Sequence, residues 1–315
     1  MFNLGILFAN AVGAARHYSA LAWSCGAMAI IFLAVFIFMP ETPQYLLSVG
    51  HTDDALSALR WLRGKESVSM ELASMVEVVE RSARERTSLR AVLSTLTMRR
   101  ALILSIGLVI IQQLSGINVV FFYTQSIFEA AGSTMSPSTC AITVAVVMLI
   151  FSQIAAPLSD RAGRRALLLA SAIGMAVSLA ALGGYFHAKT TMGDDAVASV
   201  FWLPLASVIA YMCFYLLGFG PLPWAVMAEL LPPSAKGTAG ALVSSSCWVL
   251  SFIATKCFQD LVDALGTAAA FFIFAGCSAA GAVFVFCLLP ETKAKSLDQI
   301  QRELSVGFRA ASAPS

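Results

Sequence analysis

Long apolar runs separated by short polar segments dominate this chain and limit what it can fold into. Hydrophobic residues occupy 58% of the 315 positions, whereas charged residues occupy only 12%. A soluble domain has roughly 25% charged residues, and a soluble core of this size could not bury so much apolar surface. The sequence therefore predicts an all-α, polytopic membrane helical bundle.

Seven runs have the roughly 20 apolar residues that a helix needs to cross a bilayer. They are residues 19–39, 101–128, 139–158, 166–186, 203–228, 238–258 and 268–289. An eighth run, Met1 to about Ala14, would reach only about 21 Å, short of a hydrocarbon core of about 30 Å. We expect about eight spans, the first of them incomplete.

The basic residues indicate the orientation of these spans. If the polar segment 41–100 is cytoplasmic, all but three of the 20 Lys and Arg residues lie on that side; the exceptions are Arg16, Lys189 and Lys256. Cytoplasmic loops carry such an excess, so we expect the 41–100 segment and the C-terminus to face the cytoplasm. The arginines of this segment alternate with glutamates and have no aromatic residues among them, which favours a solvated linker over a nucleic-acid site.

The tripeptide Pro-Glu-Thr occurs twice, at residues 40–42 and 290–292, each time where an apolar span meets the cytoplasm. Transporters built from two similar halves place such signals at equivalent positions. We therefore divide the chain into residues 1–40, the last two spans of an N-terminal half; 41–100, a cytoplasmic helical linker; 101–290, a complete six-span C-terminal half; and 291–315, a cytoplasmic tail.

Polar side chains interrupt the first span after the linker, in the sequence QQLSGIN at residues 112–118. Gln112, Gln113 and Asn118 are uncharged hydrogen-bonding groups at membrane depth, as a path for a neutral polar solute requires. The alternative is hydrogen bonding between helices, which is ordinary in membrane bundles. On an ideal helix Gln113 and Asn118 lie about 140° apart, so a shared site requires the helix to bend at Ser115–Gly116.

A later span contains the sequence GFGPLPW, in which Gly218, Gly220, Pro221 and Pro223 are candidate hinge and gating residues. Prolines remove backbone donors, and broken helices are tolerated in membranes where the freed backbone faces a cavity or a neighbour. Trp224 follows directly and could stack on a sugar ring. The alternative is a packing kink with an interfacial tryptophan.

The turn SDRAGRR, at residues 159–165, joins two spans on the cytoplasmic side. One interpretation is that its charged side chains act merely as a positive-inside signal. We expect instead a charge network that stabilises one conformation, with Asp160, Arg161, Arg164 and Arg165 opposite Glu229, which ends a later span.

Several classes of function lack support in the sequence. The span interiors contain no acid or base, which favours a neutral solute and gives no support for ion coupling. We find no phosphate loop with GK[ST] and no catalytic constellation, so an enzyme is not expected. The seven cysteines form no CxxC pair and do not cluster with histidine, so we expect neither a metal nor a cofactor.

The chain resembles the sugar porter family of the major facilitator superfamily in several motifs that occur in the same order. These motifs are QQLSGIN with FFYTQSIFEAAG, then DRAGRR, GPLPW…AE and PETK. The PETPQYLL and FNLGILF segments and the Cys247–Trp248 pair are most similar to facilitated trehalose transporters and their glucose-transporter relatives. The resemblance implies a twelve-span fold, of which this chain would be spans five to twelve.

The resemblance also implies roles for particular residues. The sugar site would be lined by Gln112, Gln113, Asn118, Trp224 and Trp248, and gated by Phe122 and Tyr123. The cytoplasmic charge network would also include Glu41 and Glu291 of the two Pro-Glu-Thr signals.

We therefore expect a multi-pass transporter, in the plasma membrane, that moves a neutral sugar (trehalose or a hexose) down its gradient by alternating access. Its partners would be the sugar and the lipid bilayer, with no nucleic acid and with an oligomeric state that the sequence does not indicate. The alternatives are a proton-coupled sugar symporter, a polyol porter, and a truncated membrane protein or incomplete gene product that senses sugar or binds a partner without transport.

Overall fold

The computed structural model describes residues 2–15, 18–65, 67–84, 95–132, 136–293 and 295–306, and this part of the chain is helical without strands. The helices are α1 Phe2–Ala15, α2 Tyr18–Phe36, α3 Pro43–Val49, α4 Thr52–Arg63, α5 Ser69–Arg84, α6 Leu96–Leu114, α7 Ile117–Ala131, α8 Pro137–Ala162, α9 Arg164–Met192, α10 Asp194–Val197, α11 Leu203–Leu217, α12 Leu222–Leu230, α13 Pro233–Leu265, α14 Thr267–Leu288 and α15 Leu297–Val306. A short 3₁₀-helix, Ala198–Val200, lies between α10 and α11.

Seven helical stretches in the described part of the chain are long and apolar enough to cross a membrane, and each overlaps a predicted span. They are Ser19–Phe36, Leu96–Ala131, Pro137–Ala155, Arg164–Met192, Leu203–Leu230, Ala235–Leu265 and Thr267–Leu288. A shorter apolar helix, Asn3–Ala14, precedes them. The predicted all-α membrane bundle is confirmed.

The structure extends some spans well past their predicted limits. Helix α13 runs from Pro233 to Leu265, whereas the apolar run that predicts it covers only residues 238–258. A helix that leaves the hydrocarbon region can continue with polar residues, so hydropathy alone marks the crossing segment and not the helix end. The extra turns place Gln259 and Asp260 on the same helix as Trp248.

Helix α9 is the centre of the bundle and packs most extensively on α14 and α11. Its Met175, Leu179 and Leu182 are almost fully buried. Phe271 of α14 stacks on Phe186 of α9 with ring centroids 5.7 Å apart. In contrast, the apolar surface of α2 lies on the outside of this chain, where lipid or other protein would cover it.

Two spans are broken within the bundle. The first break separates α6 from α7 at Ser115–Gly116, where Gly116 has a φ of 82°. The bend that a shared site for Gln113 and Asn118 requires is therefore present. The second break separates α11 from α12 at Gly218–Pro221. A Cβ on Gly218 would lie 2.5 Å from Cβ of Ser171, so the backbones of α9 and α11 approach here to a distance that only glycine permits.

We call the membrane side on which α6 begins and α14 ends the linker face, because the segment with α3–α5 connects there, and the other side the distal face. Helix α15 lies on the linker face. Gln301 Nε2 donates to the carbonyl oxygen of Leu230 at 2.7 Å and thereby satisfies the end of α12. Arg100, in the first turns of α6, donates to the carbonyl oxygens of Leu304 and Ser305.

Replacing Gly116 with alanine should lower the stability of the protein. A left-handed conformation costs a residue with a side chain about 1–2 kcal/mol, and the new Cβ would also lie 2.8 Å from the Phe274 ring. Thermal unfolding in nanodiscs, followed by circular dichroism, should show a lower midpoint. Gly276→Ala in α14 is the control, because its Cβ would meet no atom within 4 Å. Equal midpoints for both variants would contradict the special status of Gly116.

Candidate functional site

A chain of uncharged polar side chains joins α6, α7 and α13 inside the bundle. Gln113 Nε2 donates to Sγ of Cys247 at 2.9 Å. Asn118 Nδ2 donates to Oε1 of Gln113 at 2.5 Å and to Oγ of Ser251 at 2.8 Å. The break at Gly116 turns Asn118 toward Gln113, so that both amides lie against the same stretch of α13. The three helices thus share one polar cluster within otherwise apolar surroundings.

A groove of about 610 Å³ lies next to this cluster, between α7 and α13. Ser251 belongs to both the cluster and the groove wall, whereas Gln113 and Asn118 lie behind it and do not line the groove. Its size falls within the range of roughly 300–1,000 Å³ that small-molecule sites occupy. The lining residues are Phe122, Tyr123, Trp248, Ser251, Phe252, Thr255, Lys256, Gln259 and Asp260.

Three of the four aromatic residues in the groove wall, Phe122, Tyr123 and Trp248, are predicted from the sequence. Trp248 and Phe122 are 73% and 71% exposed, so their ring faces are open to a ligand. Tyr123 packs against Phe258 with centroids 5.0 Å apart, and its hydroxyl donates to the carbonyl oxygen of Thr255 at 3.5 Å. Tyr123 also has non-helical backbone angles, which mark a second, milder bend in α7.

Gln112 points away from the groove and toward the α11–α12 break. Its Nε2 donates to the carbonyl oxygens of Phe219 at 2.5 Å and Gly220 at 3.2 Å, and to the hydroxyl of Tyr215 at 3.3 Å. The amide nitrogen of Phe219 in turn donates to Oγ of Ser171 at 3.1 Å. Gln112 and Ser171 thus satisfy the backbone groups that the break removes from helical pairing.

The remaining residues of the GFGPLPW segment shape the break itself. Gly218 has a φ of −136° and ends α11, and Pro221 precedes the first residue of α12. Pro223 lies in the first turn of α12, where a missing backbone donor costs nothing. Gly220 donates through its amide to the carbonyl oxygen of Tyr215 at 2.7 Å. Trp224 is half-buried against the core and does not line the groove.

Charged residues meet at the linker face. The guanidinium of Arg164 contacts Oε1 of Glu229 at 3.2 Å. Arg165 donates to the carbonyl oxygen of Phe286 at 2.6 Å, and its guanidinium lies 5.6 Å from the centroid of that ring. The side chains of Asp160 and Arg161 lie outside what the structure describes.

Glu291 caps the first turn of α9 from a distant part of the chain. Its carboxylate accepts from the backbone amides of Arg164 at 3.0 Å and Arg165 at 3.2 Å, and from those of Thr292 and Lys293. A carboxylate is favourable here because the helix N-terminus carries partial positive charge. Glu41, in the other Pro-Glu-Thr signal, is exposed and makes no ion pair within the described part of the chain.

Sequence reasoning missed the part of the groove that α13 supplies beyond Trp248. Ser251, Phe252, Thr255, Lys256, Gln259 and Asp260 follow Trp248 at helical spacing, so periodicity could have grouped them. The available signal was Lys256, one of only three basic residues predicted away from the cytoplasm. Among the described residues we find no group of His, Cys, Asp or Glu that could hold a metal ion.

The model of the family described as sugar (and other) transporter matches residues 1–304. The chain belongs to this sugar transporter family. Its relatives include the facilitated trehalose transporter Tret1 of Culex quinquefasciatus, which is 41% identical over 305 residues, or 96% of this chain and 58% of that protein. Trehalose transporter 1 of Drosophila melanogaster is 40% identical over 306 residues, or 96% of this chain and 35% of that protein. The chain thus spans between about a third and three fifths of the length of these two relatives.

Solved structures of the bacterial sugar transporter XylE have the same fold. The inward-open conformation of this xylose transporter from E. coli superposes with a TM-score of 0.74, over 95% of this chain and 62% of XylE, at 21% identity. XylE bound to 6-bromo-6-deoxy-D-glucose, described as a major facilitator superfamily proton:xylose symporter, superposes with a TM-score of 0.69 at 23% identity, over 96% of this chain and 64% of XylE. The sugar transporter chain therefore has part of the major facilitator fold.

Replacing Gln112 with alanine should destabilise the protein. The variant leaves the carbonyl oxygens of Phe219 and Gly220 without their donor, and an unsatisfied buried polar group costs about 1–3 kcal/mol. Chemical unfolding in detergent should show a lower free energy of unfolding for the variant. The control is Ser246→Ala, because that hydroxyl bonds only within its own helix, to the carbonyl oxygen of Leu242. A Gln112→Ala variant as stable as the wild type would contradict the role of Gln112 in satisfying the α11–α12 break.

The two Pro-Glu-Thr signals offer a matched pair of variants. Glu291→Ala removes the cap of α9 and should lower the free energy of unfolding by about 1–2 kcal/mol, as the loss of a helix cap does. Glu41→Ala removes the same charge from the same tripeptide at an exposed position and should change it by less than about 0.5 kcal/mol. The two variants should be compared by thermal unfolding in the same nanodiscs. Equal effects would rule out the cap as the cause.

Proposed function

We propose that this chain forms the sugar-binding half of a transporter that moves a neutral sugar across the membrane by facilitated diffusion. The observation that supports this most directly is the polar cluster of Gln113, Asn118 and Ser251, which adjoins an aromatic groove through Ser251. A neutral sugar needs hydrogen-bonding groups without charge and an apolar surface for its ring faces. The cluster and the groove supply both.

The hydrogen bonds of the cluster are suited to exchange with a ligand. Gln113 donates to the sulfur of Cys247, and a thiol is a weak acceptor. A sugar hydroxyl is a stronger acceptor, so Gln113 gains by leaving the thiol. Asn118 holds Gln113 by its carbonyl oxygen and orients the amide for this exchange. Weak interactions that exchange readily suit a carrier that must release its substrate.

The aromatic residues complete the proposed site. Trp248 would cover a ring face of the sugar, while Phe122 and Tyr123, on the segment of α7 beyond Gly116, would close over it as a gate. Gln112 and Trp224, which the resemblance to sugar porters also implies as site residues, belong to the α11–α12 break. Their proposed part is to hold this break, and with it the end of α6 that carries Gln113, in place.

The substrate we propose is trehalose or a hexose. The names of the insect relatives specify trehalose, and those of the bacterial neighbours specify xylose and a glucose derivative. All of these are neutral sugars. The polar cluster itself consists of uncharged side chains, which suits a neutral substrate.

The charged residues of the linker face would form and break ion pairs during alternating access. Arg164 contacts Glu229, and the Glu291 cap lies directly beside them. These charges, together with those of Asp160, Arg161 and Arg165, would stabilise one conformation and separate in another. The break between α11 and α12 would allow these two helices to move, through Gly218, Gly220, Pro221 and Pro223. On this proposal the linker face is cytoplasmic, the membrane is the plasma membrane, and the part of the transporter that faces the groove lies outside this chain.

Gln113→Ala should lower sugar uptake about 5- to 30-fold, because a lost hydrogen bond in a polar site costs roughly 1–2 kcal/mol. Uptake of radiolabelled trehalose and glucose would be measured in cells that express this chain fused to the N-terminal spans of the Culex relative. Surface labelling should show equal amounts of wild type and variant. Unchanged uptake would exclude Gln113 from the site.

The same experiment separates transport from binding. The 315-residue chain alone, in vesicles, should bind sugar without accumulating it, and the fused chain should do both. Binding without uptake by the fused chain would favour a sugar sensor over a transporter. Uptake that requires a proton gradient would favour a symporter.

A further inference from the structure

The groove continues past the polar cluster along one face of α13. Trp248, Phe252, Lys256 and Asp260 follow one another at intervals of four residues and all line it. At 1.5 Å per residue, the face from Trp248 to Asp260 is about 18 Å long. The polar cluster reaches only the first turn of this face, at Ser251. Most of the groove therefore lies toward the distal face, beyond the site proposed for one sugar ring.

The distal end of the groove is polar and carries both signs of charge. Lys256 offers three donors, Asp260 accepts through two oxygens, and Gln259 can do both. Neither Lys256 nor Asp260 makes an ion pair within the part of the chain that the structure describes. Lys189, the other basic residue of the described chain assigned to this side, is already held by the carbonyl oxygen of Ala130 at 2.8 Å and by Asp194 at 3.5 Å.

We propose that this distal half of the groove is a second subsite, which binds the outer ring of a disaccharide. The inference rests on the proposed sugar-binding function and adds a substrate preference to it. The inner ring would occupy the polar cluster with Gln113 and Asn118. The outer ring would lie against Phe252, with its hydroxyls donating to the carboxylate of Asp260 and accepting from the ammonium of Lys256.

The chemistry of the subsite favours a neutral polyol. A carboxylate and an ammonium one helical turn apart match neighbouring hydroxyls, each of which can donate and accept. The two charges cancel, so the subsite has no net attraction for an ion, and Asp260 would repel an anionic sugar. A monosaccharide in the polar cluster would not reach these residues. The subsite therefore discriminates by substrate length.

Equilibrium binding of radiolabelled trehalose and glucose to the chain in nanodiscs tests the subsite. Lys256→Gln and Asp260→Asn keep the size of each side chain and remove its charge. Because hydrogen bonds to charged groups are worth more than those to neutral ones, each variant should weaken trehalose binding about tenfold. Glucose binding should change by less than about twofold. The control, Asp195→Asn, removes a charge from the distal loop outside the groove and should leave both sugars unaffected.

The outcomes separate this inference from the function on which it rests. If both sugars bind and the variants change neither, or weaken both equally, the subsite is absent although the sugar site stands. If the wild-type chain binds neither sugar, the proposed function fails and the subsite fails with it. If the variants lower the unfolding midpoint but leave the trehalose-to-glucose affinity ratio unchanged, Lys256 and Asp260 are structural. The subsite is supported only if the trehalose-to-glucose affinity ratio changes while the unfolding midpoint stays the same.

Discussion

Backbone groups inside a membrane must find partners within the protein, and this constraint governs how the bundle can contain a polar site. Each broken helix frees amide and carbonyl groups, and each group left unpaired away from water costs several kcal/mol. Gln112 and Ser171 satisfy the break between α11 and α12 from two neighbouring helices. The polar side chains of α6 are therefore divided between two tasks. Gln112 maintains the fold, and Gln113, one position later, belongs to the polar cluster beside the groove.

The sequence was sufficient to predict the spans, the helical class and the bend at Gly116. Hydropathy identifies a crossing helix because insertion into lipid depends on composition. The bend was predicted only as a condition, because Gln113 and Asn118 can share a site only if the helix bends between them. The partner of Gln112 could not be predicted, because it is a backbone carbonyl 107 positions away. The role of the α13 face beyond Trp248 was also missed, although its residues follow one another at helical spacing. The spacing shows that the residues share a face, but it does not show that this face borders a groove.

The two Pro-Glu-Thr tripeptides show how little a short motif determines without its surroundings. Both occur where an apolar span ends, and both were predicted to join one charge network. In the structure Glu291 caps α9 and lies beside Arg164, whereas Glu41 is exposed to solvent. The difference arises because α14 delivers Glu291 to the start of α9, on which it packs most extensively, whereas α2 is not packed there. Helix packing, and not the tripeptide, decides what the carboxylate does.

The bonds between Arg100 and the last turn of α15 bring the two ends of the segment from 96 to 306 together at one corner of the linker face. In topological terms, the six-span unit is a closed loop. The segment before residue 96 therefore enters the unit at the same corner at which α15 ends. Units with adjacent ends tolerate insertion and permutation, because their internal packing does not depend on where the chain enters.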